Sequence, residues 1–206
     1  MDVPSQESSL TKGRVKQKLR TRRALVEAAK DIAREGRSLT IAEVAEVAEV
    51  SAATAYRYFS SPDQLILEIA IGSAGDLVAD LPDDPATRLA TVIDRLCDAQ
   101  FSDEAVWRAL LVASQQRWFA QTRDGGDPMP VRGRTRLEIT RAALEPLEGT
   151  LSPEGLRRAT MAIMLVYGLD AMVTSFDACG MEPAEARSVM HWAAQTLLKA
   201  ALDEAK

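Results

Sequence analysis

Apolar positions recur along the chain at i, i+3, i+4 and i+7, and the strict alternation of a half-buried strand does not appear. Leu25, Ala28, Ala29, Ile32 and Ala33 share one face of a helix expected over 18–35, with Gly36 as its C-terminal stop. Thr40-Ile41-Ala42-Glu43 reads as a capping box: the Thr hydroxyl accepts from a free backbone N–H and Glu43 reaches back. Ile41, Val44, Ala45 and Ala48 then continue the helical spacing, and Ser51 opens a short helix to about Phe59. Ser61-Pro62-Asp63-Gln64 opens a fourth helix, expected to run to about Asp80, with proline in its first turn. Asp84-Pro85 and Ser152-Pro153 repeat that device, and Ser102-Asp103-Glu104 puts acids where the helix dipole favours them. Further helices are expected over 85–100, 103–122, 131–147, 153–178 and 183–203. The stretch Arg123–Pro128, with two glycines, reads as a flexible loop. The expected fold class is all-α.

Two helices joined by a tight turn between Thr40 and Phe59 follow the helix-turn-helix plan. A helix that enters a major groove about 12 Å wide must protrude and be braced. Small residues, Ala45 and Ala48, suit the bracing helix. With Ala55 set toward the core, a 100° step per residue brings Tyr58 and Phe59 nearby and turns Ala53 and Arg57 outward, with Thr54 and Tyr56 at the flanks. Those residue types suit contact with a thymine methyl, hydroxyl bonds to phosphate, and an arginine that reaches a guanine edge or a phosphate.

Composition and charge sharpen this picture. The 206 residues are 47% hydrophobic and 27% charged, which excludes a mostly disordered chain. The net charge of −5 conceals an asymmetry: residues 1–60 carry +3 and the remainder −8. Lys12 to Arg23 holds seven basic residues and no acid, a basic arm that suits a polyanion at one end of the chain. A solvated tail is the bland alternative. The unbroken apolar run Met161–Leu169 has nine residues, so no membrane span is expected, and the N-terminus has no signal-peptide pattern. Cys97 and Cys179 read as reduced thiols, consistent with a cytoplasmic protein. A single histidine argues against a histidine-rich metal site. A Gly-rich phosphate loop, a metal-spaced His/Cys set and a nucleophile–His pair are all missing, so no enzyme, cofactor or metal is expected.

The stretch TIAEVAEVAEVSAATAYRYFSSPDQL resembles the DNA-binding segment of the TetR family of transcriptional regulators. The resemblance rests on Thr40, the turn from Ala45 to Ser51, Thr54, the Tyr56-Arg57-Tyr58-Phe59 run and Leu65, and it covers about residues 20–70. It implies a homodimeric repressor that leaves a palindromic operator when a small, mainly apolar effector binds. It also implies a basic arm over 1–17, a helix-turn-helix domain over 18–62 and a ligand-binding and dimerisation body over 63–206. The DNA-binding residues expected on this basis are Arg14, Lys16, Lys18, Arg22, Thr40, Ser51, Ala52, Ala53, Thr54, Tyr56, Arg57, Tyr58 and Ser60. Two positions depart from the family pattern: Glu49 stands in the turn where glycine is common, and Pro62 where a phosphate-binding lysine is frequent. These departures favour an alternative, a helical dimeric carrier or adaptor that has lost DNA binding.

The C-terminal body has its own candidates. Residues 156–176 are apolar around most of a helix, and 183–203 carry a broad apolar stripe, so both helices suit a four-helix dimer interface. Val166, Val173, Met190, Ala194 and Leu198 are the expected interface residues. Aromatic and methionine side chains suit an adaptable apolar cavity, and Phe101, Trp107, Trp118, Phe119, Met164, Tyr167 and Met172 are the candidates. Asp170, inside the apolar helix, is expected to be buried and to need a partner. His191 is expected as a packed interface residue.

Overall fold

The computed structural model describes residues 6–37, 39–71, 74–123 and 135–205. It is all-helical, and its contacts divide it into two units, Met1–Ile69 and Ala70–Lys206.

The first unit holds α1 (Gln6–Arg34), α2 (Ile41–Val47), α3 (Ala52–Tyr58) and the start of α4 (Pro62–Ile71). Leu25, Ala28, Ala29, Ile32, Ile41, Val44, Ala45, Ala55, Phe59 and Leu65 form its core. Each helix starts and stops where local chemistry dictates. α1 ends in a left-handed Gly36, with φ of 68°, and the Arg37 N–H reaches back to the Ile32 carbonyl at 3.2 Å. Thr40 Oγ1 accepts from the Glu43 N–H at 3.2 Å, and Ser51 Oγ accepts from the Thr54 N–H at 3.2 Å.

One expectation is corrected in this unit. α1 begins at Gln6, not near residue 18, so the basic segment read as a flexible arm is helical from Gln6 onward. Lys, Arg, Gln and Leu are good helix formers, and Gly13 alone interrupts them after Pro4.

The second unit holds α5 (Ala74–Leu77), α6 (Pro85–Ser102), α7 (Glu104–Arg123), α8 (Thr135–Leu144) with a 3₁₀ turn over Glu145–Leu147, α9 (Pro153–Leu165), α10 (Leu169–Val173), a π-helical turn over Thr174–Ala178, and α11 (Pro183–Glu204). Asp84 and Ser152 cap α6 and α9, each followed by proline in the first turn. α6, α8, α9 and α11 enclose Leu89, Ile93, Leu144, Ile163, Met190 and Leu198, with Tyr167 and Met172. The expected glycine loop after Arg123 lies outside the described residues.

The helix expected over 153–178 is not continuous. It breaks at Val166–Gly168, where Gly168 adopts φ of 92° and ψ of −163°. The π turn then re-aims the chain before α11. By length and composition alone the 26 residues Pro153–Ala178 could cross a membrane, with a mean hydropathy of 1.5 over their most apolar 18-residue stretch. Its break, and the full enclosure of Ile163, Tyr167 and Met172, are those of a core element.

Of the helix expected over 62–80, helix is described over Pro62–Ile71 and Ala74–Leu77, and residues 78–80 form a turn in which Asp80 has a left-handed φ of 46°.

Candidate nucleic-acid interface

α3 presents a small, rigid surface. Ala55 and Phe59 are sunk in the core of the first unit, while Ala52, Ala53, Tyr56 and Arg57 are exposed. Thr54 and Tyr58 are half-buried at the flanks. Ser51 Oγ lies 2.9 Å from Thr54 Oγ1, so the N-cap hydroxyls are already engaged with each other. Thr40 is similarly engaged: its hydroxyl donates to Glu43 Oε2 at 2.9 Å. Ser60 is exposed, and its backbone N–H donates to Gln64 Oε1 at 2.9 Å.

The turn between α2 and α3 carries Glu49 at φ of 54°. Glycine adopts this left-handed conformation without penalty, and an L-residue does so at a cost of about 1–2 kcal/mol. Val50 N–H to Ala45 O at 2.9 Å and Glu49 N–H to Glu46 O at 3.1 Å close the turn. The turn therefore keeps its glycine-type geometry with a glutamate in place.

The basic residues separate into two groups. Arg22 was expected on DNA, but its guanidinium is occupied internally: Nε and Nη2 donate to the two carboxylate oxygens of Glu68 at 2.6 and 2.7 Å, and its head lies 5.3 Å from the centre of the Phe59 ring. The hydrogen bond to Arg22 holds the Glu68 carboxyl below the usual range. Arg22 thus ties α1 to α4, a role the sequence hides because Glu68 lies 46 positions away. Lys16, Lys18 and Arg57 are exposed, and among the described residues none of the three is in an ion pair. The side chain of Arg14 lies outside the described residues.

Residues 24–69 match the family model of the bacterial regulatory proteins, tetR family. Residues 24–69 therefore carry a helix-turn-helix domain of the tetR-family type. The fold of the chain is similar to the crystal structure of a TetR transcriptional regulator from Rhodococcus sp. RHA1, with a TM-score of 0.61 over 89% of this chain and 98% of that one, at 21% identity. No curated protein matches the chain. The matched domain is the DNA-binding part of such transcriptional regulators.

The body of the chain distributes the expected ligand residues over several environments. Phe101 and Trp107 are half-buried against the core; Trp107 Nε1 donates to the Ala99 carbonyl at 3.0 Å, and the Phe101 ring lies 5.3 Å from that of Phe176. Tyr167 and Met172 are fully enclosed core residues. Thr140 Oγ1 donates to the Arg136 carbonyl at 2.7 Å, so the 2.6 Å contact between Tyr167 and Thr140 is donated by the phenol. Met164 is half-buried, and Trp118 and Phe119 are exposed at 45% and 57%. Gln100 was not singled out from the sequence. It is 2% exposed, and among the described residues its Oε1 has no hydrogen-bond partner. It continues the core stripe Leu89, Ile93, Leu96, and a polar residue at such a position was the available signal.

The expected dimer residues need correction. Met190, Ala194 and Leu198 are buried in the subunit's own core, because they lie on the face of α11 that packs on α6 and α9. Val166 and Val173 are half-buried against the same core. The large apolar side chains exposed on α9 and α11 are instead Leu165 at 76%, Trp192 at 71% and Val189 at 40%. Asp170 is half-exposed rather than buried, because the chain break turns it to the surface; Arg136 Nη1 donates to its Oδ2 at 3.1 Å. His191 faces α6, with Nε2 2.8 Å from Asp94 Oδ1, and Arg187 also donates to Asp94, at 3.2 Å.

Proposed function

We propose that this regulator acts in the cytoplasm as a homodimeric repressor that leaves a palindromic operator when a small, mainly apolar effector binds its body. The observation that carries the dimer is the exposure of Leu165, Trp192 and Val189 on two helices that pack on each other. Large apolar side chains grouped on a surface favour a partner of matching character. A second copy supplies that character through two-fold symmetry, and two-fold symmetry in turn calls for two half-sites one helical turn apart, about 34–36 Å, or a multiple of that.

The effector reading rests on the aromatic and methionine content of the body and on Gln100. An unpaired buried carbonyl costs about 1–3 kcal/mol, and an effector carrying an N–H or O–H donor removes that cost. Phe101 and Trp107 supply apolar surface at the same end of α6. Binding releases DNA only to the extent that the effector prefers the DNA-free form, and DNA weakens effector binding by the same factor.

The test is mass measurement in solution together with electrophoretic binding to a selected duplex. Wild type is expected to be dimeric and Trp192→Glu monomeric, with weaker operator binding because two linked half-site contacts are lost. A Trp192→Glu chain that remains dimeric places the interface elsewhere. Leu198→Arg does not serve as this test, since it places a charge in the subunit's own core and unfolds the chain.

A further inference from the structure

Gln17 and Lys18 of α1 and Arg57 and Tyr58 of α3 line a notch of about 450 Å³ within the first unit. We propose that this notch seats one phosphate of the DNA backbone, so that Lys18 and Arg57 form an affinity clamp and Arg57 does not read a base. The inference rests on the DNA-binding reading and assigns one element of that surface.

Three observations converge on it. The first is charge. Lys18 and Arg57 bring two cations to one concavity, and among the described residues neither has a carboxylate partner. Arg22 and Arg37 of this unit are neutralised within it, by Glu68 and by Glu35 and Glu43, whereas Arg20 and Arg23 are exposed on α1 outside this concavity's lining. A concave site lined by one sign of charge draws a counter-ion. The second is hydrogen-bonding character. Lysine and arginine only donate, and the Tyr58 phenol and Gln17 amide each add donors. A phosphate offers acceptors alone, whereas base edges in the major groove mix donors with acceptors. The third is position along α3. Recognition helices of this plan meet base edges chiefly through their N-terminal residues. Arg57 lies in the last turn of α3, five residues beyond Ala52 and so about 7–8 Å further along the axis, on the side shared with α1. The small Ala52 and Ala53 stand at the other end, where close approach to bases requires little bulk.

The experiment is selection of duplexes from a random library by the full-length chain, run in parallel for wild type, Lys18→Ala and Arg57→Ala. Both substituted residues are exposed, so both variants are expected to fold, and circular dichroism checks this. The expected result is one shared sequence preference at every position. Affinity should fall about tenfold in either variant, equally for the selected and a scrambled duplex, and the log–log salt slope should lessen by about one per lost contact. A methylphosphonate scan of the selected duplex adds a second readout. One neutralised phosphate per half-site should weaken wild type most, and Lys18→Ala or Arg57→Ala less, because each variant has already lost one of the two cations facing it. A changed base preference in Arg57→Ala makes Arg57 a base reader and overturns the proposal, as does an unchanged salt slope. A wild-type chain that enriches no sequence overturns the operator reading itself, and the clamp with it.

Discussion

Replacing Gly168 by alanine tests whether the break in the long apolar segment is set by backbone geometry. At φ of 92° and ψ of −163° this residue occupies a region that only glycine populates freely, and an L-side chain there costs about 1–3 kcal/mol. A Cβ would also lie 2.8 Å from Arg136 Cδ and 2.9 Å from its Nη1. The arginine must move, and it then loses its hydrogen bonds to the Tyr167 carbonyl at 3.2 Å and to Asp170 at 3.1 Å. These bonds are partly exposed, so their loss adds about 1 kcal/mol after solvent screening. The expected destabilisation is about 2–4 kcal/mol, a large share of the total for any domain. Urea unfolding followed by tryptophan fluorescence reads it directly, since Trp107, Trp118 and Trp192 all lie in the body. Arg136→Ala alone should cost about 1 kcal/mol. The double variant should cost less than the sum of the singles, because the clash vanishes with the arginine while the backbone strain remains. A Gly168→Ala chain within about 0.5 kcal/mol of wild type would refute the reasoning, since neither strain nor displacement would then be present.

Other expectations follow from single features. Glu49→Gly should stabilise the first unit by about 0.5–1 kcal/mol, as relief of the left-handed strain exceeds the entropy cost of glycine; slower hydrogen exchange in α2 and α3 checks it. Arg22→Ala should destabilise the same unit by about 1 kcal/mol at neutral pH. Because Arg22 lowers the Glu68 carboxyl, the pair's contribution is complete above the ordinary carboxylate pKa. It is lost as pH falls through the lowered folded value, so wild type and Arg22→Ala should converge in acid unfolding. Burial pushes the Cys97 thiol up to about 11, whereas Cys179 is exposed; a disulfide reagent at pH 8 should therefore titrate Cys179 alone in the native chain and both thiols after unfolding.

Local chemistry made much of the fold legible. Thr40, Ser51, Asp84 and Ser152 are oxygens placed three residues before an amide that needs an acceptor, and each caps the helix it announces. The inward face of α3 followed from a 100° step away from Ala55. What depended on distant partners was not legible. Arg22 looks like every other cation between Lys12 and Arg23 until Glu68 is brought against it by the packing of α1 on α4. Asp170 looked buried because its neighbours are apolar, but the glycine before it breaks the helix and turns the carboxylate outward beside Arg136. The start of α1 is hidden because a run of cations without an apolar stripe marks an arm as well as a helix, although lysine and arginine are compatible with a helix.

The proposed dimer face illustrates a limit of periodicity itself. α11 carries apolar residues at 186, 189, 190, 193, 194, 197 and 198, a stripe too broad to belong to one contact. Periodicity gives the width of such a stripe but not which edge faces the chain's own core. Met190, Ala194 and Leu198 repeat at i, i+4 and i+8 and pack inward against α6 and α9. Trp192 sits two residues after Met190, about 200° around the helix, and emerges on the opposite side. A tryptophan held outward on a well-packed helix loses apolar burial that an inward position would supply, about 25 cal/mol per Å². In the proposed dimer a second copy would restore that burial. The charge-introducing variant that tests the proposed dimer therefore belongs at Trp192, where it is expected to remove association, and not at Leu198, where it is expected to remove the fold.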